Sequence, residues 1–246
     1  MPIIYLSPST QEFNPYVGGG NEELYMNLIA DAMEPYLTAS GIRFVRNTPD
    51  MTAATSIAAS NMGNYDLHLA LHSNASGSVS GSARGSEVYY YPTSVQGKRF
   101  ADIAAKNLQL IYPLPNGVRT VPTTTLGEVR RVKAPGVLIE IAYHDNPQDA
   151  DWIRNNIDAI AQNLVLSLTE FFGIPFNTPQ PIFTTTVATR GGNLNVRYAP
   201  SLNSTVIGRI PNGAEVVVYA QLPQWTLVGY GDTVGYVSSA FLQLRN

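Results

Sequence analysis

The order of apolar and polar residues over the first 172 positions predicts strands that alternate with helices. Apolar runs at residues 2–6, 42–45, 66–76, 87–91 and from 136 onward indicate strands. Helical spacing is found at residues 21–41, 51–62, 95–112 and 147–172. This alternation favours an α/β fold, with a largely parallel mixed sheet flanked by helices.

The first predicted helix has clear ends but contains two adjacent carboxylates at its start. Asn21 is a suitable N-cap, Gly41 is a C-terminal stop, and Glu22 and Glu23 fall in the first turn, where the helix dipole favours anions. We expect its buried stripe to contain Leu24, Leu28, Met33 and Leu37. The preceding loop, residues 7–20, is long enough to suggest a functional segment.

The pattern changes after Gly173. Residues 174–182, a linker with several prolines, separate a predicted domain at 1–173 from a second one at 183–246. The second domain consists of short β-rich runs divided by Pro, Gly and Asn turns, which predicts a small all-β barrel.

Residues 66–76, DLHLALHSNAS, alternate between the two faces of a predicted strand. The three leucines lie on one face, and His68, Ala70 and His72 lie on the other. His72 ends the strand, and ligands of open α/β sheets gather at the carboxyl ends of strands. Taken alone, such a histidine is more often structural than functional.

Glu140 interrupts the apolar run GVLIEIAY. A buried, unpaired carboxylate is costly, so Glu140 needs either a partner or a raised pKa. One interpretation is a structural, ion-paired residue. The other is the general base of a metal-assisted hydrolysis.

Composition narrows the possible partners and metal ligands. Hydrophobic residues make up 44% of the chain and charged residues 13%, and the formal net charge is -3, so no basic surface for nucleic acid is indicated. No apolar run reaches the ~20 residues that cross a bilayer, and the first residues do not resemble a signal peptide. Because there is no cysteine, any metal must use histidine, carboxylate or amide groups.

Glu23 and His72 are a possible pair of zinc ligands, one from the first turn of a helix and one from the end of a strand. A catalytic zinc needs a third protein ligand. His68 is too far along the strand, since four residues span about 13 Å, and we assign it a structural or supporting role.

Five segments together resemble the zinc-dependent N-acetylmuramoyl-L-alanine amidases of the amidase 3 group. They are SPSTQ, the pair Glu23 and Asn27, DLHLALHSNASG, GSEVYYY and PGVLIEIAYHDN, and they cover about residues 2–172. The resemblance implies zinc held by Glu23 and His72, with Glu140 as the catalytic carboxylate. It also implies that Asn74, in the His-x-Asn-Ala pattern, contacts the substrate.

The sequence departs from this group at the first zinc ligand. The group usually has a histidine just after its first strand, in a Pro-Gly-His-Gly context, where this chain reads Pro-Ser-Thr-Gln at positions 8–11. By position, Gln11 is the predicted third ligand, and an amide oxygen is a weaker zinc donor than imidazole. Glu12 and His144 are the possible substitutes.

Residues 194–242 resemble bacterial SH3 modules, which commonly bind cell-wall peptides or glycans; a passive spacer is the other reading. The combined resemblance implies a monomeric peptidoglycan hydrolase that cuts the amide between N-acetylmuramic acid and L-alanine. We expect it to act on the bacterial wall after release by phage or prophage lysis, by non-classical export, or with a signal absent from this sequence. The alternatives are a metal-deficient wall-binding protein on an amidase fold and a regulatory or spore-associated hydrolase.

Overall fold

The protein is described from a computed structural model that covers residues 1–77, 79–197, 200, 202, 204, 206–222, 224–231 and 233–243. The chain forms two compact units, Met1–Asn177 and Thr178–Asn246. The domain and linker limits given above remain predictions. Parts of the SH3-like stretch, including 198–199, and the final residues 244–246 lie outside the described residues.

The first unit alternates strands and helices as its sequence pattern predicts. The strands are Ile3–Pro8 (β1), Arg43–Arg46 (β2), Leu67–Asn74 (β3), Ser86–Tyr90 (β4), Val118–Pro122 (β5) and Gly136–Tyr143 (β6). The helices are Glu22–Ala39 (α1), Ala53–Met62 (α2), Val95–Leu108 (α3), Gly127–Arg130 (α4), Pro147–Asn155 (α5) and Ile157–Phe172 (α6).

These strands form one sheet in the order β2-β1-β3-β6-β4-β5. All neighbours are parallel except β4 and β6, which are antiparallel. The predicted largely parallel mixed sheet is therefore confirmed. Because β4 and β5 run against the others, their first residues lie at the same edge as the carboxyl ends of β1, β3 and β6.

The two faces of β3 differ as the alternation predicts. Its three leucines lie in the main core with residues of α1, α3 and α6. On the other face, Ala70 packs with Leu138 of β6 and Val129 of α4. His72 shares this second face, so its side chain points towards α4 rather than into the main core.

The predicted order of helices and strands needs correction in two stretches of the first unit. Residues 147–172 are not one helix, because Asn156 leaves helical geometry and its side chain binds the Trp152 carbonyl at 2.8 Å. Strand β5 and helix α4 lie between residues 112 and 136, a stretch rich in Pro and Thr for which the sequence pattern predicts a loop. Strand β5 is an edge strand that pairs only with β4 and ends at Pro122, so it lacks the apolar pattern of a central strand.

The second unit is an antiparallel β-sheet. Its strands are Phe183–Thr186 (β7), Leu194–Arg197 (β8), Val206–Ile210 (β9), Glu215–Gln221 (β10), Trp225–Tyr230 (β11) and Thr233–Ser238 (β12), in the order β7-β10-β11-β12-β8-β9. Valine side chains such as Val216, Val218, Val228 and Val237 form its core. This unit confirms the predicted small all-β domain of SH3-like type.

Candidate active site

His72 is the centre of a cluster of charged side chains at the carboxyl end of β3. Its Nδ1 lies 2.9 Å from Oε1 of Glu22, and its Nε2 lies 2.9 Å from Oε2 of Glu128. Burial alone would lower the pKa of His72, but the two carboxylates raise it well above its usual value. The imidazole of His72 therefore lies between two carboxylates, one at each ring nitrogen.

Glu22, rather than Glu23, is the carboxylate from α1 that reaches His72. Asn21 caps the helix by accepting a hydrogen bond from the Leu24 amide at 2.8 Å, which fixes the first turn. Glu22 is buried, and although burial raises the pKa of a carboxyl group, hydrogen bonds with His72 and other neighbours lower the pKa of Glu22 below its usual value.

Glu23 makes no described hydrogen bond with this cluster. It is half-buried, and the structure places it beside Glu12. Burial, followed by the contact with Glu12, raises the pKa of Glu23. Two of the predicted ligands thus lie next to each other, and no described contact joins either of them to His72.

Gln11 does lie at the cluster, as its position in the sequence predicts. Its Nε2 is 3.2 Å from Nδ1 of His72 and 3.4 Å from Oε1 of Glu22. In this orientation Asn14 donates to Oε2 of Glu22 at 2.6 Å and to Oε1 of Gln11 at 3.3 Å. A half-turn of the Gln11 amide would bring its oxygen to His72 and Glu22, and it would break the hydrogen bond from Asn14 to Gln11 while leaving the one to Glu22.

These three side chains fit a zinc ion. The donor positions on Gln11, Glu22 and His72 are separated from one another by 2.9, 3.2 and 3.4 Å. Zinc bonds of about 2.0–2.1 Å in a tetrahedron require ligand separations of about 3.3 Å. The described residues contain no group of three or more His, Cys, Asp or Glu side chains that could hold a metal, so a zinc ion bound at this place would need the Gln11 amide as its third protein donor.

Glu128 supports His72 from the opposite side. It lies in the short helix α4, is buried, and accepts hydrogen bonds from Ser7 and from both histidines of β3, with His68 Nε2 at 3.3 Å. A carboxylate on the second ring nitrogen is the usual support of a metal-binding histidine, because it fixes which nitrogen faces the ion. Sequence analysis does not identify Glu128, since α4 lies in a predicted loop.

His68 is fully buried and takes part in this support. Its Nδ1 lies 2.9 Å from the Ser60 hydroxyl, and its ring stacks on Tyr5 with 5.3 Å between centroids. Glu128 connects it to His72, since the carboxylate contacts both rings. The geometry agrees with the supporting role assigned to His68.

Glu140 lies next to His72 across the sheet. The two residues are paired in register between β3 and β6, so their side chains emerge on the same face. Oε2 of Glu140 is buried, and no described residue hydrogen-bonds to it. Burial, together with the negative charges of Glu22, Glu87 and Glu128, outweighs the attraction of His72 and raises the pKa of Glu140 to about 7.

The same row continues to Glu87 and Arg119. Glu87 of β4 is paired with Glu140, and Arg119 of β5 is paired with Glu87. Glu87 is buried and binds Nε of Arg119 at 2.9 Å, as well as Nη2 of Arg119 and the Tyr89 hydroxyl. Asn74, the predicted substrate contact, donates to Oε2 of Glu87 at 3.2 Å.

His144, the other possible substitute ligand, is engaged elsewhere. Its Nδ1 lies 2.8 Å from the Ser73 carbonyl oxygen, and its ring stacks on Tyr16 with 5.5 Å between centroids. The structure therefore brings Gln11, His72 and Glu140 together, along with Glu22 and Glu128, but not Glu12, Glu23 or His144.

A cavity of about 490 Å³ opens beside this cluster. Residues 7–13, Asn47, residues 49–53 and Ser56 line it, together with His72 and Glu128. The cluster is therefore accessible to a ligand. None of the helices in the described part of the chain has the length and apolar character to cross a membrane.

Comparison with known proteins identifies a family for each of the two units. The family described as N-acetylmuramoyl-L-alanine amidase matches residues 13–170, and the bacterial SH3 domain matches residues 192–243. No curated protein matches the chain.

Several solved structures share the fold of the first unit. The amidase AmiC2 of Nostoc punctiforme is 16% identical, with a TM-score of 0.61 over 70% of this chain and 97% of its own. The catalytic domain of the amidase CwlV from Bacillus (Paenibacillus) polymyxa is 18% identical, with a TM-score of 0.61 over 71% and 100%. The catalytic domain of the CD27L endolysin targeting Clostridia difficile is 22% identical, with a TM-score of 0.57 over 69% and 97%.

Proposed function

The chain belongs to the N-acetylmuramoyl-L-alanine amidase family, and on that basis we propose that it hydrolyses the amide between N-acetylmuramic acid and L-alanine in peptidoglycan. The substrate would enter through the cavity beside His72. The SH3-like unit would bring the enzyme to the wall.

The environment of Glu140 is the observation that carries this proposal. Its buried Oε2 has no hydrogen-bond partner among the described residues, and it lies beside the cluster of Gln11, Glu22 and His72. In the metal-free chain, burial and the neighbouring carboxylates raise the pKa of Glu140 to about 7, and a carboxyl group in such a place is suited to accept and donate a proton. A purely structural carboxylate would instead be satisfied by partners in the fold.

Gln11, Glu22 and His72 would hold the zinc ion on which this family generally depends. Zinc bound there would polarise the scissile carbonyl and lower the pKa of the attacking water. Glu128 would keep Nε2 of His72 protonated, so that Nδ1 is the nitrogen offered to the metal.

Glu140 would carry the proton through the reaction. Its carboxylate accepts a proton from water as the water oxygen bonds to the lactyl carbonyl carbon. As the carbon–nitrogen bond breaks, Glu140 returns that proton to the departing nitrogen. The second proton of the water also passes to the amine, so the products are a carboxylate on the sugar and a protonated amino terminus on L-alanine, and the enzyme returns to its starting state.

The alternative of a metal-deficient wall-binding protein rests on the missing histidine. The position of Gln11 at the third corner of the cluster speaks against it, because the site retains three donors. Neither the family match nor the structural neighbours favour this alternative.

We expect the purified full chain to retain about one zinc per molecule and to release L-alanine amino termini from isolated cell walls. Metal content is measured by emission spectroscopy, and new amino termini are measured by labelling and chromatography. Removing the metal with a chelator should stop the release, and adding zinc should restore it. Absence of release from zinc-loaded protein would refute the proposal.

We also propose that the second unit provides wall affinity without contributing to the fold of the first. Each unit has its own apolar core. A fragment of residues 1–177 should therefore keep a cooperative thermal transition and the ability to cleave soluble muropeptides, but should sediment less with cell walls. A fragment 1–177 that is unfolded by circular dichroism, or that binds walls as well as the full chain, would contradict this division.

A further inference from the structure

Arg119 occupies one end of a row of side chains that begins at the proposed reaction centre. His72, Glu140, Glu87 and Arg119 belong to four neighbouring strands and are paired in register. Their side chains therefore emerge on one face of the sheet, one strand spacing of about 4.8 Å apart. The row therefore runs from the proposed reaction centre at His72 and Glu140 to the exposed guanidinium of Arg119.

The Arg119 guanidinium is held in place by Glu87, but one of its nitrogen atoms has no hydrogen-bond partner among the described residues. Its Nε and Nη2 bind Oε1 of Glu87, and Glu87 is fixed in turn by Tyr89 and Asn74. No described residue accepts a hydrogen bond from Nη1, and the side chain is 68% exposed. A guanidinium fixed in this way presents its remaining N–H groups to solvent, and such groups bind carboxylates well.

The distance between Glu140 and the Arg119 guanidinium determines which residue of the stem peptide Arg119 would contact. Because its guanidinium is bound to Glu87, it lies about one to two strand spacings, or roughly 5–10 Å, from Glu140. One extended residue spans about 3.5 Å. A stem peptide whose scissile amide lies at Glu140 would thus place its second residue beside Arg119.

We propose that Arg119 binds the free α-carboxylate of the second stem-peptide residue, so that the enzyme prefers stems in which this position is acidic rather than amidated. This inference rests on the proposed amidase function. The surrounding carboxylates, Glu22, Glu87, Glu128 and Glu140, would repel such an anion. Arg119 offsets that repulsion at the place where the anion would lie.

The test uses two soluble substrates, N-acetylmuramoyl-L-alanyl-D-isoglutamate and the corresponding D-isoglutamine compound. They differ only in a carboxylate against a carboxamide. Because the Arg119 side chain is 68% exposed, solvent screens this contact, and the full chain should favour the acidic compound by about twofold to fivefold in kcat/KM, mainly through KM. Arg119→Gln should abolish this preference and leave kcat/KM for the amidated compound nearly unchanged.

Two further variants separate recognition from structure. Glu87→Gln removes the partner of Arg119 but keeps the cation, so the preference should persist. Arg43→Gln changes an exposed arginine on β2 and should behave as wild type. Equal loss of activity on both compounds in Arg119→Gln would overturn the inference, as would a wild-type enzyme that does not distinguish them.

Binding measured by calorimetry separates this inference from the proposed function. If both compounds bind but neither is hydrolysed, the amidase proposal fails. The carboxylate site then stands if the acidic compound binds more tightly to wild type than to Arg119→Gln. If hydrolysis occurs with no preference, the amidase proposal stands and the role of Arg119 is refuted.

Discussion

The Glu140→Gln variant is expected to lose amidase activity by a factor of about 10² to 10⁴, which is the usual contribution of a general base. Glutamine has nearly the same shape as glutamate but cannot accept the proton of the attacking water. The loss should appear in kcat, because Glu140 is not among the side chains that converge on the proposed metal position. Release of L-alanine amino termini from cell walls is the measurement.

Zinc content and folding separate this effect from a loss of the metal site. Glu140→Gln should bind zinc as wild type does and should keep its thermal transition. Glu170→Gln, an exposed change on α6, is the matched control and should retain full activity. Activity within about threefold of wild type in Glu140→Gln would show that another group moves the proton.

The two site residues that lie on central strands, His72 and Glu140, could be predicted from the sequence. Alternation in β3 separates the leucines from His72, and the single carboxylate in the apolar run of β6 marks Glu140. Side chains alternate between the two faces of a strand, so an error of one residue in the predicted alternation would assign every side chain to the wrong face of the sheet. The apolar residues of β3 and β6 fix that phase.

The site residue that lies on helix α1 was harder to predict. The sequence defines the buried face of this helix less clearly than it defines the buried faces of the strands. Two of the expected core residues, Leu24 and Leu28, are only half-buried. The other two, Met33 and Leu37, are fully buried, and the stripe continues towards the N-terminus through Ile29 and Met26 at spacings of four and three residues. Extending that stripe back by four residues reaches Glu22 rather than Glu23, so a more careful reading of the helical period would have identified it.

Glu128 carries no comparable signal in the sequence. It lies in α4, a helix of four residues within a polar stretch, and its neighbours give no period to interpret. Its role depends on contacts with Ser7, His68 and His72, which are distant in the chain. Such a network of buried polar groups becomes visible only when the strands are assembled.

The second large effect is expected in the zinc affinity of variants at the two adjacent glutamates, Glu22 and Glu23. Glu22→Ala is expected to weaken zinc binding by more than about 100-fold, whereas Glu23→Ala should leave it within about threefold. Loss of a supporting carboxylate alone costs 10–100-fold in metal affinity, and Glu22 is proposed as a direct ligand. Its Oε1 lies 2.9 Å from Nδ1 of His72, while Glu23 lies beside Glu12.

Competition with a chromophoric chelator gives the zinc affinity of both variants without any dependence on catalysis. The two substitutions are matched, since they remove the same group from neighbouring positions in the first turn of α1. Circular dichroism checks that each variant keeps the helix, because either change removes a favourable charge near its N-terminus. If Glu23→Ala loses zinc and Glu22→Ala retains it, the ligand is the one that the sequence pattern indicates. The contact between Glu22 and His72 would then be only a structural ion pair.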